Sequence, residues 1–128
     1  MIDSSVLVAA LTNDEARGEE ARDLVVREPL VAPELIDVEV ISALRRLVRT
    51  GVLDTARAGQ AVEDLPFSPV TRAPHKDLVA RAWELRDNLS AYDACYVALA
   101  EAMETSLLTA DKRLASAPGI RCEIELIA

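Results

Sequence analysis

The sequence predicts a three-layer α/β/α protein with a central, mostly parallel sheet of four to five strands. Short apolar runs alternate along the chain with amphipathic helical segments, the usual pattern of a layered α/β protein. No repeat, low-complexity stretch or Gly/Ser-rich linker interrupts the 128 residues, so we expect one domain over residues 1–128. Hydrophobic residues make up 51% and aromatic residues 3%, which predicts a core of Leu, Val, Ile and Ala.

Five short segments are predicted as strands. Residues 1–3 would be the end of a first strand. Pro69 lacks a backbone donor for a sheet ladder, so the segment that contains it is predicted at an edge. The other four strands are predicted at residues 30–32, 67–71, 106–109 and 121–127.

Pro, Gly and Asp residues mark the boundaries of the first long helices. Pro33 is expected in the first turn of one helix, which Gly51 ends after several arginines in its closing turns. Asp54 is predicted to cap the next helix, which ends at Pro66.

Two further helices are expected in the second half of the chain. Residues 76–87 carry apolar side chains, Trp83 among them, at helical spacing, and Asn88 is a candidate left-handed terminator. Residues 92–103 are apolar nearly all round, which predicts a buried central helix with Cys95 in the core.

Charge and composition restrict the location and the partners. The net charge of −8 argues against general coating of nucleic acids, and the scarcity of aromatics argues against single-strand binding by base stacking. Cys95 and Cys122 lack CxxC spacing, which fits a reducing compartment. We see no membrane-spanning apolar run and no basic flank of a signal peptide, so a cytoplasmic protein without membrane association is expected.

Four acidic residues lie in apolar sequence, where a strand ends or a helix faces the core. They are Asp3, Glu39, Asp93 and Asp111. Burying a carboxylate without a partner costs several kcal/mol, so acids that meet in one cleft call for a cation. The carboxyl ends of parallel strands provide such a cleft. An all-oxygen donor set suits Mg²⁺ or Mn²⁺, and this predicts metal-assisted phosphodiester chemistry.

Each acid also has a purely structural interpretation. Asp93 follows Ser90 at the spacing of a capping box, and Asp3 and Asp111 are suitable helix N-caps. Glu39 is harder to explain in this way, because it lies on the flank of the apolar arc of its helix.

Other catalytic schemes have little support in the sequence. His75 is the single histidine, and the chain has no GxGxxG, GxxxxGK[ST] or GxSxG motif. Ser5 stands where a DxDx[TV] phosphatase has its second acid. Ser5 and Thr109 are candidate hydroxyls that steer a carboxylate or a metal-bound water, although capping or packing would explain them equally well.

The motifs IDSSVL, ELIDVEVISALRRL, LSAYDACYVALAE and LLTADKRLA occur in this order over nearly the whole chain. Together they resemble the PIN-domain family, and in particular the VapC-like ribonuclease toxins of type II toxin–antitoxin systems. The resemblance implies the PIN fold, with Asp3, Glu39, Asp93 and Asp111 as catalytic metal ligands and Ser5 and Thr109 as helpers. One departure is that only Met1 and Ile2 precede Asp3, so the first strand would be unusually short.

The resemblance also implies an activity and partners. It predicts a Mg²⁺- or Mn²⁺-dependent endoribonuclease that a cognate antitoxin neutralises and that forms a homodimer. A housekeeping PIN-domain nuclease of RNA processing and a non-catalytic PIN-like interaction module are the alternatives. The candidate contacts for RNA phosphates, which are equally explicable as solvated helix charges, are Arg45, Arg46, Lys112 and Arg113.

Overall fold

The computed structural model describes residues 1–127, and within them seven α-helices and four strands alternate. The elements are α1 (Ser4–Thr12), α2 (Ala16–Arg27), β1 (Leu30–Pro33), α3 (Ile36–Arg49), α4 (Thr55–Asp64), β2 (Val70–Ala73), α5 (Val79–Glu84), α6 (Ala91–Ala102), β3 (Leu107–Thr109), α7 (Lys112–Ala115) and β4 (Ile124–Leu126). Single 3₁₀ turns at Leu65–Phe67 and Lys76–Leu78 precede β2 and α5.

The strands form two parallel pairs that the first residues of the chain connect. β1 pairs with β2, and β3 pairs with β4. Between the pairs, the Ile2 N–H donates to the Val31 carbonyl at 3.2 Å, and the Leu108 N–H donates to the Met1 carbonyl at 2.9 Å. The order is therefore β2, β1, residues 1–3, β3, β4. The predicted α/β class with parallel strands is confirmed, although the sheet is divided into small pieces.

The predicted first strand is reduced to a single bridge between Ile2 and Leu108. Ile2 is nevertheless fully buried, because strands flank it on both sides. This central place puts the next residue, Asp3, at the carboxyl end of the sheet and directly before α1.

The central helix α6 is confirmed as a buried element. Its inward positions join the side chains of residues 1–2, α1, α3 and β3 in one continuous core. Six residues of α6 are buried: Ala94, Tyr96, Val97, Ala98, Leu99 and Ala100. Cys95, predicted in the core, is only half-buried. Among residues 1–127, no helix is both long and apolar enough to cross a membrane.

The predicted start of α3 is wrong, whereas the predicted end of α3 before Gly51 and the predicted cap of α4 at Asp54 are confirmed. Pro33 is the last residue of β1, because the next residue, Glu34, still donates its N–H to the Ala73 carbonyl of the neighbouring strand, and α3 begins at Ile36. Gly51 follows α3 with a φ of +77°, a conformation that glycine adopts without steric cost. The Asp54 side chain caps α4 by accepting the Arg57 N–H at 2.9 Å.

The third strand lies later than predicted. Pro66 is part of a 3₁₀ turn that continues from α4, so pairing begins only at Val70 and runs to Ala73. Pro69 therefore precedes the strand. Since β2 pairs with β1 alone in the described chain, its edge position is confirmed.

The elements after β2 are also shorter than predicted. The helix expected over residues 76–87 is a 3₁₀ turn followed by α5, which ends at Glu84. Trp83 remains 67% exposed, and the Arg86 guanidinium stacks 4.5 Å from its ring centroid. Asn88 does not have the expected left-handed conformation, since Glu104 is the one non-glycine residue with a positive φ within residues 1–127.

An ion pair holds the segment before β4, which explains why that strand starts at Ile124 and not at residue 121. The Glu101 carboxylate of α6 accepts two bonds from Arg81, at 2.9 and 3.0 Å, and a third from the Arg121 N–H at 3.1 Å. The Arg81 side chain in turn donates to the Gly119 carbonyl. These bonds lower the pKa of Glu101 and tie α5, α6 and this loop together.

Substitutions at two glycines test the close contact between the end of α1 and α2. A Cβ on Gly18 would lie 1.7 Å from the Asn13 carbonyl oxygen, whereas a Cβ on Gly59 of α4 would meet nothing within 4 Å. Gly18→Ala is expected to lower the free energy of unfolding by about 2–3 kcal/mol, because the backbone at Asn13 would have to move to make room for the added Cβ. Gly59→Ala, the matched control, is expected to raise it by about 0.5–1 kcal/mol. Urea unfolding measures both, and equal effects would contradict this packing.

Candidate functional site

Asp3 is a buried carboxylate held by hydrogen bonds on both oxygens. It caps α1, and its Oδ1 accepts the N–H groups of Ser5 at 3.0 Å and Val6 at 3.3 Å, together with the Ser5 hydroxyl. Its Oδ2 accepts the hydroxyl of Thr109, which is fully buried at the end of β3. The side chain is only 6% exposed, so both oxygens have fixed directions.

The two hydroxyls that hold Asp3 also hold the loop after β3. The Ser5 hydroxyl accepts the Ala110 N–H at 2.9 Å, and the Thr109 hydroxyl accepts the Asp111 N–H at 3.0 Å. Each hydroxyl therefore connects the carboxylate to the backbone that positions Asp111. This is the kind of supporting role that the sequence predicted for Ser5 and Thr109.

Asp93 lies in the first turn of α6. Ser90 caps this helix by accepting the Asp93 N–H at 3.2 Å, which places the carboxylate, half-buried, at the helix start. Burial and then the negative charge of Asp111 raise the pKa of Asp93, against the weaker effects of Ser90 and Arg113. Burial and the neighbouring acid thus disfavour the ionised form of this carboxylate.

Asp111 lies at the rim of the site and has its own cation. It caps α7 through the Arg113 N–H at 2.9 Å, and its Oδ2 accepts from Arg113 Nη2 at 3.0 Å. These bonds lower the pKa of Asp111. The capping interpretation thus holds for Asp3 and Asp111, and it coexists with their place beside the cleft.

Glu39 is half-buried on α3 beside the Tyr96 hydroxyl of α6. Burial raises the pKa of Glu39, the hydroxyl opposes this shift, and the charges of Asp93 and Asp3 add to it. Glu39 Oε1 is nevertheless buried without a hydrogen-bond partner among residues 1–127. If Glu39 had a purely structural role, each of its buried oxygens would be expected to have a hydrogen-bond partner.

The cleft brings three of the four acids together and leaves Glu39 beside it. Asp3, Asp93 and Asp111 line a cavity of about 570 Å³ between α1, α3 and the loop after β3. Glu39 lines an adjoining depression of about 310 Å³. Ser4, Ala43 and Arg46 line both spaces.

Electrostatic repulsion couples the four acids. Asp93 raises the pKa of both Asp3 and Glu39, and Asp111 raises that of Asp93. For Asp3, burial is the largest cause, opposed by the bonds from Ser5, Thr109 and Val6. Acids that repel one another in this way are stabilised by a cation placed among them.

The donor set suits a hard divalent cation, but the side chains do not form a finished coordination sphere. Within residues 1–127, no group of three acidic, histidine or cysteine side chains is arranged to hold a metal ion. Hydrogen bonds engage both oxygens of Asp3, and Arg113 engages Asp111. The chemistry of the site fits the ion through its oxygen donors and through the unpaired Oε1 of Glu39.

The basic residues named from the sequence occupy different places. Arg46 lines both the cavity and the depression, whereas Arg45 and Lys112 line neither. Arg113 pairs with Asp111 at the rim. Tyr96, which lies beside Glu39, does not stand out in the sequence, because a tyrosine in an apolar helix looks like an ordinary core residue.

Comparison with known proteins agrees with this fold. The family model described as "PIN domain" matches residues 1–120, and the chain therefore belongs to the PIN-domain family. Ribonuclease VapC9 of Mycobacterium tuberculosis is 43% identical over 127 residues, covering 99% of this chain and 97% of that protein. Ribonuclease VapC1 of the same organism is 41% identical over 128 residues, covering 99% and 96%.

Solved structures share the fold. PAE2754 from Pyrobaculum aerophilum aligns with a TM-score of 0.63 at 26% identity, covering 90% of this chain and 82% of its own. VapC20 of Mycobacterium tuberculosis, a sarcin-ricin loop cleaving toxin, aligns with a TM-score of 0.67 at 22% identity, covering 90% and 92%. The predicted resemblance to the PIN-domain family and its VapC-like ribonucleases is confirmed.

The repulsion among the acids predicts how stability depends on pH in the metal-free protein. A carboxyl group whose pKa is raised on folding stabilises the fold at low pH, and that contribution is lost as the pH rises through the raised value. Asp93→Asn removes one of these charges. In EDTA, its melting temperature is expected above that of the original protein at pH 7.5, and the difference is expected to shrink as the pH is lowered through the raised pKa of Asp93.

Thermal melts across this range measure the effect, with Asp87→Asn on the exposed end of the α5 region as the control. The groups with lowered pKa, Glu101 and Asp111, lose their contribution only at more acidic pH, so they do not reverse the sign in this window. A melting temperature of Asp93→Asn that is lower at pH 7.5 than at pH 5, relative to the original protein, would contradict the repulsion.

Proposed function

We propose that this protein is a Mg²⁺- or Mn²⁺-dependent endoribonuclease that acts as the toxin of a type II toxin–antitoxin pair. The observation that carries the proposal is the meeting of Asp3, Asp93 and Asp111, from separate elements, in one cleft next to Glu39. Membership of the PIN-domain family and the ribonuclease names of relatives that span nearly the whole chain support it.

The four acids would divide the work according to their surroundings. Asp3 and Asp93, which line the cleft, would hold the cation, and Glu39 would contribute its unpaired Oε1 directly or through water. Asp111 would complete the site from the rim, once its carboxylate is released from Arg113. A bound divalent cation supplies the positive field that activates water and neutralises charge developing on the phosphate.

The surrounding residues would orient the reacting groups. Ser5 and Thr109 keep the Asp3 carboxylate in one orientation, so little reorganisation is needed when the cleft is filled. Arg46 stands at the boundary of the two spaces and would bind a phosphate of the RNA. Such a local cation is needed in a chain whose net charge is −8.

The proposal includes protein partners. A cognate antitoxin would neutralise the enzyme by covering the acidic cleft, and a homodimer would be the working form, as the family resemblance implies. The exposed apolar side chains of Val38 and Tyr92 line the Glu39 depression and would suit a protein contact there. Because the proposed substrate is cellular RNA, the cytoplasm is the proposed place of action.

Removing one cleft carboxylate is expected to abolish RNA cleavage without unfolding the protein. Asp93→Asn should lower the rate of RNA cleavage in Mn²⁺ by at least about 100-fold, since the lost oxygen is a proposed cation ligand. Fluorescence release from a labelled single-stranded RNA measures the rate, and EDTA should stop cleavage by the original protein.

The exposed Asp87→Asn serves as the matched control and should retain activity. On induction in bacteria, the original protein and the control should arrest growth, and Asp93→Asn should not. Full activity of a cooperatively folded Asp93→Asn protein would overturn the catalytic assignment.

Neighbouring arginines on α3 separate phosphate binding from general surface charge. Arg46→Ala is expected to raise KM for RNA about tenfold with kcat nearly unchanged, because one charge-assisted contact is lost. Arg45→Ala removes the same charge from a position that lines neither the cavity nor the depression, and KM should change less than about twofold. If steady-state kinetics show the same rise in KM for both variants, the two arginines act only through their general surface charge, and a specific phosphate contact of Arg46 is contradicted.

A further inference from the structure

Two buried polar atoms lie at the acidic site without a hydrogen-bond partner among residues 1–127: Glu39 Oε1 and the Tyr96 hydroxyl oxygen. Tyr96 is 1% exposed and is the largest fully buried side chain among residues 1–127. A buried hydroxyl without a partner destabilises a protein, and phenylalanine would fill the same space without that cost. The hydroxyl therefore requires an explanation that packing does not provide.

The surroundings of this hydroxyl point to the site. Tyr96 lies one helical turn after Asp93 on α6, so both side chains leave the same face of that helix. The hydroxyl lies beside Glu39 of α3 and near the Ser4 hydroxyl at the start of α1. Burial raises the pKa of Tyr96, with Glu39 adding to the effect, so the hydroxyl keeps its proton and remains a donor.

We propose that Tyr96 is a positioning residue whose hydroxyl donates a hydrogen bond to Glu39 when this carboxylate turns towards a cation in the cleft. One carboxylate oxygen would then be fixed by the tyrosine, and the other would face the ion. The inference rests on the proposed metal-dependent function, and it gives Glu39 the support that Ser5 and Thr109 give Asp3.

Tyr96→Phe separates this role from a structural one, because it removes the hydroxyl and keeps the ring. In EDTA the variant is expected to melt at the same temperature as the original protein or higher, since an unsatisfied buried hydroxyl is lost. Its affinity for Mn²⁺, measured by calorimetry on the metal-free protein, is expected to fall about tenfold. Thr71→Val, which removes an exposed hydroxyl from β2, is the control and should leave both values unchanged.

A second pair of variants tests whether the tyrosine acts through Glu39. In a Glu39→Gln background, Tyr96→Phe is expected to cause no further loss of Mn²⁺ affinity, because the hydroxyl no longer has a carboxylate ligand to orient. A tenfold loss in that background would show that Tyr96 acts elsewhere, and would overturn the inference.

The remaining outcomes are also decisive. Unchanged Mn²⁺ affinity of Tyr96→Phe, in a protein whose parent binds Mn²⁺ and cleaves RNA, overturns the role of Tyr96 and leaves the proposed function intact. A clear fall in the melting temperature of metal-free Tyr96→Phe assigns the hydroxyl to stability and also overturns it. If the original protein neither binds Mn²⁺ nor cleaves RNA, the proposed function fails together with the inference.

Discussion

The burial of one carboxylate, that of Asp3, is the constraint on which the rest of the structure depends. The backbone N–H of Asp3 donates to the Leu108 carbonyl, while the Asp3 side chain caps α1 and accepts from Thr109 at the end of β3. The sheet, the first helix and the loop that carries Asp111 are thus joined at one group. Because four donors surround its two oxygens, Asp3 tolerates a depth of burial at which an unpaired acid would be strongly destabilising.

Burial also makes the ionised forms of the acids around Asp3 unfavourable. Each carboxylate near Asp3 is partly removed from water, and Asp93 repels both Asp3 and Glu39. Their combined charge does not help the fold at neutral pH, so selection for stability alone would replace one of them with an amide or an apolar residue. A divalent cation, the cofactor proposed for this site, would offset that repulsion.

Sequence reasoning singles out residues whose type conflicts with their surroundings, and it failed where local patterns and distant contacts favour different structures. Asp3 was recognisable because a charge after an apolar strand end requires partners, and Glu39 because it lies on the flank of the apolar arc of its helix. Pro33 was misassigned to a helix because its neighbour Glu34 bonds to Ala73, a contact 39 residues away that no local pattern reveals. Trp83 was expected on a packed face, but a stacking arginine replaces that packing.

The sequence also could not show which oxygens are free. Asp111 and Glu39 look alike as isolated acids, yet Arg113 compensates one of them and an unpaired buried oxygen distinguishes the other. The Tyr96 hydroxyl of α6 lies beside Glu39 of α3, so the packing of these two helices decides which donor is near that carboxylate. The proposed hydrogen bond from Tyr96 to Glu39 would satisfy both buried atoms at once, so the inference explains why a tyrosine and not a phenylalanine occupies this place.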